Sequence, residues 1–432
     1  MAKPGCRTVD HLLARRQVLG GLIGIGGSLG FGGGFGTSLL AKELHRNQKQ
    51  MLIIFLDGGV SQLETWDPKP GTDTGGPFLS IPTSVPGTHV GELLPHTAQQ
   101  MHHLTLIRSI NSHENNHARG KYLMTRGRRQ EPATDYPDLG AVAAKVLGSE
   151  SAGLPGFLHL EAGRRLAGKP TASGQDAAYL GPRFGSLVIG DCEPPENTLR
   201  FPELTAVGDR ARRDFRQLID KRFMAKQQNS AAAAYSYSFE RAEQLMRRRN
   251  VFDISQESDK DQARYGGSGF GRNCLLARRL LEHGIPCVEV VHTNYDTHNE
   301  NFNHHLEQLG EFDRPFATLI VDLADRGLLQ QTLVIVMSEF GRTPTINSKF
   351  GRDHWSAAWS LALAGCGIQK SAVFGKTNQN GTEVTDKEVD HAQLFHTFLT
   401  ATGVDTTQHF DIDGRPLPIA DPAAGPIAEL LT

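Results

Sequence analysis

The strongest constraint on this chain is a repeated pattern in which a short apolar run, rich in β-branched residues, stops at an acidic or polar group. Residues 333–337 (LVIVM) precede Glu339, residues 51–56 (MLIIFL) precede Asp57, and residues 286–291 (PCVEVV) lead through His292 to Asp296. Apolar runs with little alternation belong to strands buried on both faces, the condition of a parallel sheet covered by helices. Open α/β sheets bind ligands outside the carboxyl ends of their strands. The pattern therefore predicts carboxylates where such folds do chemistry. Between the last two runs, Phe302, Leu309, Phe316, Ile320 and Leu323 recur at helical spacing, with Pro315 as an expected kink. A strand–helix–strand unit has a right-handed crossover that returns both strand ends to one edge. Asp296, His298 and Glu339 are thus expected to share one face.

A length of 432 residues with 38 % hydrophobic composition allows one large α/β domain with insertions, or two domains. The formal net charge of -2 excludes the concentrated basic surface of a nucleic-acid-binding protein. At the N-terminus, Arg15, Arg16, Gln17 and Val18 precede a glycine-rich, weakly apolar run over 19–40. That is the form of a twin-arginine signal, with the export machinery as partner and a mature chain beginning near Lys42. Its many glycines weigh against a transmembrane span. The absence of a clean cleavage site leaves membrane anchoring open for segment 1–41. Five cysteines without a CxxC pair argue against a cysteine zinc site. Cys287 and Cys366 lie in apolar surroundings and are expected to be buried, although an exported protein could hold one disulfide.

Further strands are expected at 104–110, 156–160 and 361–364, with a short hairpin-like piece beginning at 372–374. Residues 172–191 read as a surface excursion. Two Arg-, Ala- and Leu-rich helices, at 204–224 and 231–249, read as a helical insertion spanning about 200–270. The segment Ser112, His113, Glu114, Asn115, Asn116, His117 stands between the strand at 104–110 and a helix that continues to Thr125. A helix start there offers unpaired N–H groups and a favourable dipole to an anion, and Asn is also a common helix cap. A final helix is expected over 389–403.

Asp57, Asp296, His298, Glu339, Asp353 and His354 come from separate connections that the strand pattern places at one edge. Mixed carboxylate and imidazole sets favour transition metals. The competing account is ion pairing with Arg342, Arg352 and Arg119. Arg342 and Arg119 are also candidates to hold a phosphate or sulfate, whose oxygens match a guanidinium fork.

The stretches IIFLDGGVSQLETWDPKPG, NNHARGKYLMTRG, FGRNCLLARRLLEHGIPCVEV, YDTHNENF and SEFGRTPTINSKFGRDHW, in this order, resemble the bacterial family known as domain of unknown function 1501. The resemblance covers residue 51 to the C-terminus. It implies a branch of the alkaline phosphatase and sulfatase superfamily: an α/β sandwich with a mainly parallel central sheet and metal at the strand ends. Carried over by position, Asp57 resembles the first metal aspartate, Asp296 and His298 the downstream pair, and His354 the last metal histidine. Glu339 and Phe340 stand where the superfamily has Asp-His, so one imidazole is missing, and His117 or His113 is expected to replace it. Asn116 falls at the position of the superfamily's nucleophile, with Ser112 and Ser61 as nearby hydroxyls. Asparagine cannot form the usual covalent intermediate, so hydrolysis is expected to use a metal-activated water directly. The expectation is an exported, periplasmic hydrolase of phosphate or sulfate esters, small-molecule or glycan. It would hold one or two divalent ions (zinc, manganese or calcium) through Asp57, Asp296, His298, Glu339 and His354, with Asn116, His117 and Arg342 in the chemistry. A non-catalytic anion- or glycan-binding protein on a hydrolase-like scaffold is the alternative.

Overall fold

The computed structural model describes residues 48–148, 154–162, 175–190, 192, 205–226 and 242–432. The twin-arginine segment at 1–41 lies outside them, as does part of the second helix expected at 231–249. The central sheet has eight strands: β1 (Gln50–Leu56), β2 (Leu104–Ile110), β3 (Phe157–Glu161), β4 (Leu187–Gly190), β5 (Cys287–His292), β6 (Thr332–Met337), β7 (Trp359–Gly365) and β8 (Ala372–Phe374). Their order is β8-β2-β7-β6-β1-β5-β3-β4. Pairing is parallel except along β7, which runs antiparallel to both β2 and β6. The principal helices are α1 (His117–Arg126), α2 (Leu139–Val146), α3 (Ala206–Lys226), α4 (Gly269–Glu282), α5 (Asn301–Asp325) and α6 (His391–Ala401).

Successive residues of β1 divide between the two faces, and both faces are dry. Leu52, Ile54 and Leu56 pack into the core beneath α4 and α5, with Leu276, Leu280, Phe312 and Phe316. Met51, Ile53 and Phe55 pack into the core beneath α2 and α6, with Val142, Leu394 and Phe398. This is why the strand sequence shows no alternation. Each large side chain so buried contributes roughly 1.5–3 kcal/mol relative to exposure.

One expectation holds and one needs correcting. Residues 372–374 form β8, an edge strand parallel to β2, and the short antiparallel pair Lys376–Thr377 and Val384–Asp386 that follows is the hairpin-like piece expected to begin there. The stretch at 172–191, read as a surface excursion, carries β4 at the opposite edge, and Ala177 and Ile189 within it are buried. Pro315 lies inside a helix that continues from Asn301 to Asp325. The four cysteines among the described residues, Cys192, Cys274, Cys287 and Cys366, are buried.

Because β1 lies between β5 and β6, in register Leu56 with His292 and Phe55 with Met337, the three strands end together. Asp57, Asp296 and Glu339 leave the sheet at this common edge.

Candidate metal centre

The chain turns sharply after β1 through Gly58 and Gly59, at φ 114° and 83°. A Cβ at Gly58 would lie 2.5 Å from the Asp296 amide nitrogen, so only glycine lets the two strand-end loops touch. Glu339 locks this crossing. Its Oε1 accepts from the Gly58 N–H at 3.0 Å, and its Oε2 accepts from the Ser338 hydroxyl at 3.0 Å. Ser338 Oγ also accepts from Gly59 and Val60 N–H at 3.1 and 3.2 Å.

Across this edge α1 begins at His117, whose Nδ1 donates to Glu339 Oε1 at 2.7 Å. His117 Nε2 is buried without a hydrogen-bond partner, 3.4 Å from Asp296 Oδ2. Two more imidazoles face the same carboxylate. His354 lies on a two-residue ladder, paired in register with Arg342. Its Nδ1 donates to the Asn115 carbonyl at 2.7 Å, and its Nε2 is 3.2 Å from Asp296 Oδ1. His298 Nδ1 donates to Asp353 Oδ1 at 2.6 Å, and its Nε2 is 3.1 Å from Asp296 Oδ1 and 2.9 Å from His354 Nε2. All three rings therefore have Nδ1 held by an acceptor and Nε2 turned inward. With Nδ1 protonated, the facing Nε2 atoms present lone pairs, and two lone pairs at 2.9 Å beside a carboxylate require a cation or a proton between them. Among the described residues, His117, Asp296 and His354 bring one ligand atom each within 4.8 Å of one another.

The electrostatics follow these contacts. The hydrogen bond to Glu339 raises the His117 pKa above the ordinary imidazole value, against the effect of burial. Burial lowers that of His354. Burial would raise the Asp296 carboxyl, but the Arg342 guanidinium at 2.6 Å overrides it and holds the carboxyl at about 2. The hydrogen bond from His298 lowers Asp353.

Several expected residues occupy other roles. Arg342 is fully buried, donating to the Gly59 and Arg352 carbonyls at 2.8 and 3.0 Å, to the Gly58 carbonyl and to Asp296. It braces the Asp296 loop and is not turned to an anion in the cleft. Arg119 is exposed and paired with Glu114 at 2.8 Å. Asp57 pairs with Lys121 at 3.2 Å. Glu339 orients His117 from behind. Asn116 is exposed and caps α1, its Oδ1 accepting from Arg119 N–H at 3.2 Å. Ser61 and Ser112 are fully buried, and His113 is exposed and outside the cluster. Of the five ligands expected, Asp296, His298 and His354 meet, and of the two imidazoles offered as a replacement, His117 joins them.

Sequence reasoning missed Lys121, one α-helical turn after His117. Burial would lower its pKa, but the Asp57 and Glu289 charges raise it, so it stays cationic. Its i+4 spacing from His117 was the available signal. Lys121 lines a cavity of about 510 Å³ with Asp57, His117, Ala118, Asp296 and Glu339. Behind the site, Arg352 and Glu64 form a fully buried ion pair at 2.8 Å, which ties the 343–353 loop to the turn after β1.

A family model described as "Protein of unknown function (DUF1501)" matches residues 48–431. No curated protein matches. Among solved structures, the chain is similar to the PsFucS1 sulfatase from Pseudoalteromonas sp. (14 % identity, TM-score 0.41, 92 % of this chain and 76 % of that one). It is also similar to the lipoteichoic acid synthase LtaP from Listeria monocytogenes (8 %, 0.39, 86 % and 74 %). A third likeness is to a protein in the alkaline phosphatase superfamily from Vibrio parahaemolyticus (12 %, 0.36, 83 % and 67 %). At such scores the reading of function rests on the residues of the site.

Proposed function

We propose, for a chain that belongs to the DUF1501 family, a metal-dependent hydrolase of phosphate or sulfate esters, exported by the twin-arginine route. The observation that carries this reading is the set of three imidazoles whose Nε2 atoms converge on Asp296 while Glu339, Asp353 and the Asn115 carbonyl hold their Nδ1 atoms. Outer partners of this kind fix the orientation of metal-ligating histidines. The unpartnered, buried His117 Nε2 fits the same purpose. His117, Asp296 and His354 would hold the ion, with His298 alongside. A nitrogen-rich set favours zinc or another transition metal over calcium. A divalent ion there would supply positive charge to the ester and acidify a water.

The remaining work belongs to the protein's own groups. Lys121, rather than Arg342, presents a cation to an anionic ester in the cavity. Ala118 in the first turn of α1 lines the same space, so the helix N-terminus adds its dipole on the same side. Glu339 holds the His117 Nδ1 proton, and Arg342 keeps Asp296 ionised. Asn116 is a cap and no nucleophile, so the reading calls for direct attack by water. The same Asn116 is the observation that favours the second reading, an anion- or glycan-binding protein without turnover. No described helix is long and apolar enough to cross a membrane.

Elemental analysis of the protein purified from the exported fraction, beside Asp296→Ala and His117→Ala, tests the site. Near-stoichiometric metal, lost in both variants, is expected. Full metal content in His117→Ala would remove His117 from the ligand set, and no metal in any sample after incubation with zinc, manganese and calcium would overturn the reading. Metal without turnover across phosphate and sulfate esters would select the binding protein.

A further inference from the structure

Helix α3 is oriented the opposite way from a helix that covers a core. Thr205 caps its start, its Oγ1 accepting from the Gly208 N–H at 3.1 Å. Along it Val207, Ala211, Phe215, Leu218 and Ile219 recur at helical spacing and so share one face. A globular protein turns such a stripe inward, yet here it meets water. Val207, Phe215, Leu218 and Ile219 are 80, 66, 47 and 46 % exposed, and Ala211 between them is exposed too. The side chains drawn in are charged ones from the other side of the helix. Asp209, Arg213, Arg216 and Asp220 are only 17–27 % exposed. Arg213 pairs with Asp209 at 2.6 Å and with Glu243, outside the helix, at 3.2 Å, and Arg216 lies 3.9 Å from Asp220. The helix thus meets Glu243 through a charge and leaves its apolar stripe outward.

The rim of that stripe is basic. Arg210 stands three residues after Val207, Arg212 three before Phe215 and Arg222 four after Leu218, so each neighbours an apolar side chain on the helix surface. All three are exposed, and Asp214 is the one exposed acid among the described side chains of the helix. The chain as a whole carries a formal charge of -2, so this cationic rim is a local feature. Arginine stems lie along apolar surface while their heads reach outward to charge. A second copy of the chain seated on this face would set one basic rim against another. A bilayer with anionic headgroups supplies opposite charge to the rim and hydrocarbon to the stripe. From the outward stripe and its basic rim, we propose that α3 docks the protein on a membrane surface rich in anionic phospholipid, with the helix lying in the headgroup layer. This goes beyond the hydrolase reading and requires neither metal nor turnover.

The test is flotation of the full chain with vesicles of phosphatidylcholine alone, or of phosphatidylcholine and phosphatidylglycerol in equal parts. Binding is expected to the mixed vesicles, with little to the neutral ones, and should weaken as salt is raised. Phe215→Gln combined with Leu218→Gln alters exposed positions and keeps a good helix former at both. It should weaken binding by about tenfold or more, since the buried apolar area sets the strength of such helices. Arg222→Gln should weaken it by about fivefold, the scale of one basic residue near an anionic surface. Asp214→Lys should tighten it by about fivefold or more, a gain that damage to the fold would not produce. No binding, equal binding to neutral vesicles, or undiminished binding in the Phe215→Gln, Leu218→Gln protein would overturn the proposal. Self-association abolished by the same double substitution would overturn it too, because a second copy would then cover the face. Each such failure leaves the metal-centre reading standing, since elemental analysis there addresses other residues.

Discussion

Glu339 holds three donors, Gly58 N–H, His117 Nδ1–H and the Ser338 hydroxyl, and is almost fully buried. Its position immediately past a strand made it legible as a site residue, but the strand pattern could not say whether it faces the ion or supports a residue that does. The distinction depends on the rotation of His117 at the start of α1, which is set by tertiary contact and leaves no trace in spacing. Replacing Glu339 by Gln separates the two roles. The amide oxygen can still accept from Gly58 or His117, but the charge that raises the His117 pKa is gone. An outer partner of a metal-bound histidine is typically worth about 10–100-fold in metal affinity. Glu339→Gln is therefore expected to bind zinc about 10–100-fold more weakly, read by competitive titration against a chelating dye, with unfolding still cooperative. Unchanged affinity would show that His117 is aligned by the helix alone.

At the scale of elements, α1 decides what the Asn116 position means. Asn116 occupies the place of the superfamily's nucleophile in the sequence resemblance, and in the structure its side chain accepts from the Arg119 N–H at the helix start. Removing an N-cap side chain costs about 1 kcal/mol. Asn116→Ala should lower stability by about that amount in urea unfolding. With an active ester found, it should leave kcat within about threefold, far less than loss of a reacting group entails. A collapse in kcat at unchanged stability would make Asn116 a participant in the chemistry. The strands around α1 were readable because both sheet faces are buried, so apolar runs at 51–56, 104–110 and 333–337 stood out. The direction of β7 was not readable, since an apolar run such as 361–364 is the same whether it runs with or against its neighbours. β4 was missed for another reason: it is four residues long at a sheet edge, too short for periodicity to separate it from the irregular chain before it.

For the molecule as a whole, the pair His159 and Glu289 joins strands that lie on the far side of β1 from β6, and it links stability to pH. Burial would lower the His159 pKa, but the Glu289 charge and the hydrogen bonds to Glu161 and Glu289 raise it to about 10. A histidine raised in the folded state contributes stability that is complete below its unfolded pKa and disappears as pH climbs through the folded one. The window here runs from about 6.5, the ordinary imidazole value, to about 10. Within it the wild-type urea midpoint should fall steadily as pH rises. His159→Gln keeps the ring's approximate bulk and a donor but removes the charge. It should be destabilised by about 3 kcal/mol near pH 6, where Glu289 is left unpaired, and should converge on wild type toward pH 10. The measurement is a set of urea denaturation curves for both proteins at pH 6, 8 and 10. Parallel midpoints across that range would mean that His159 is neutral in the folded protein. Glu289 would then be a buried carboxylate held by a neutral imidazole rather than by a charged one.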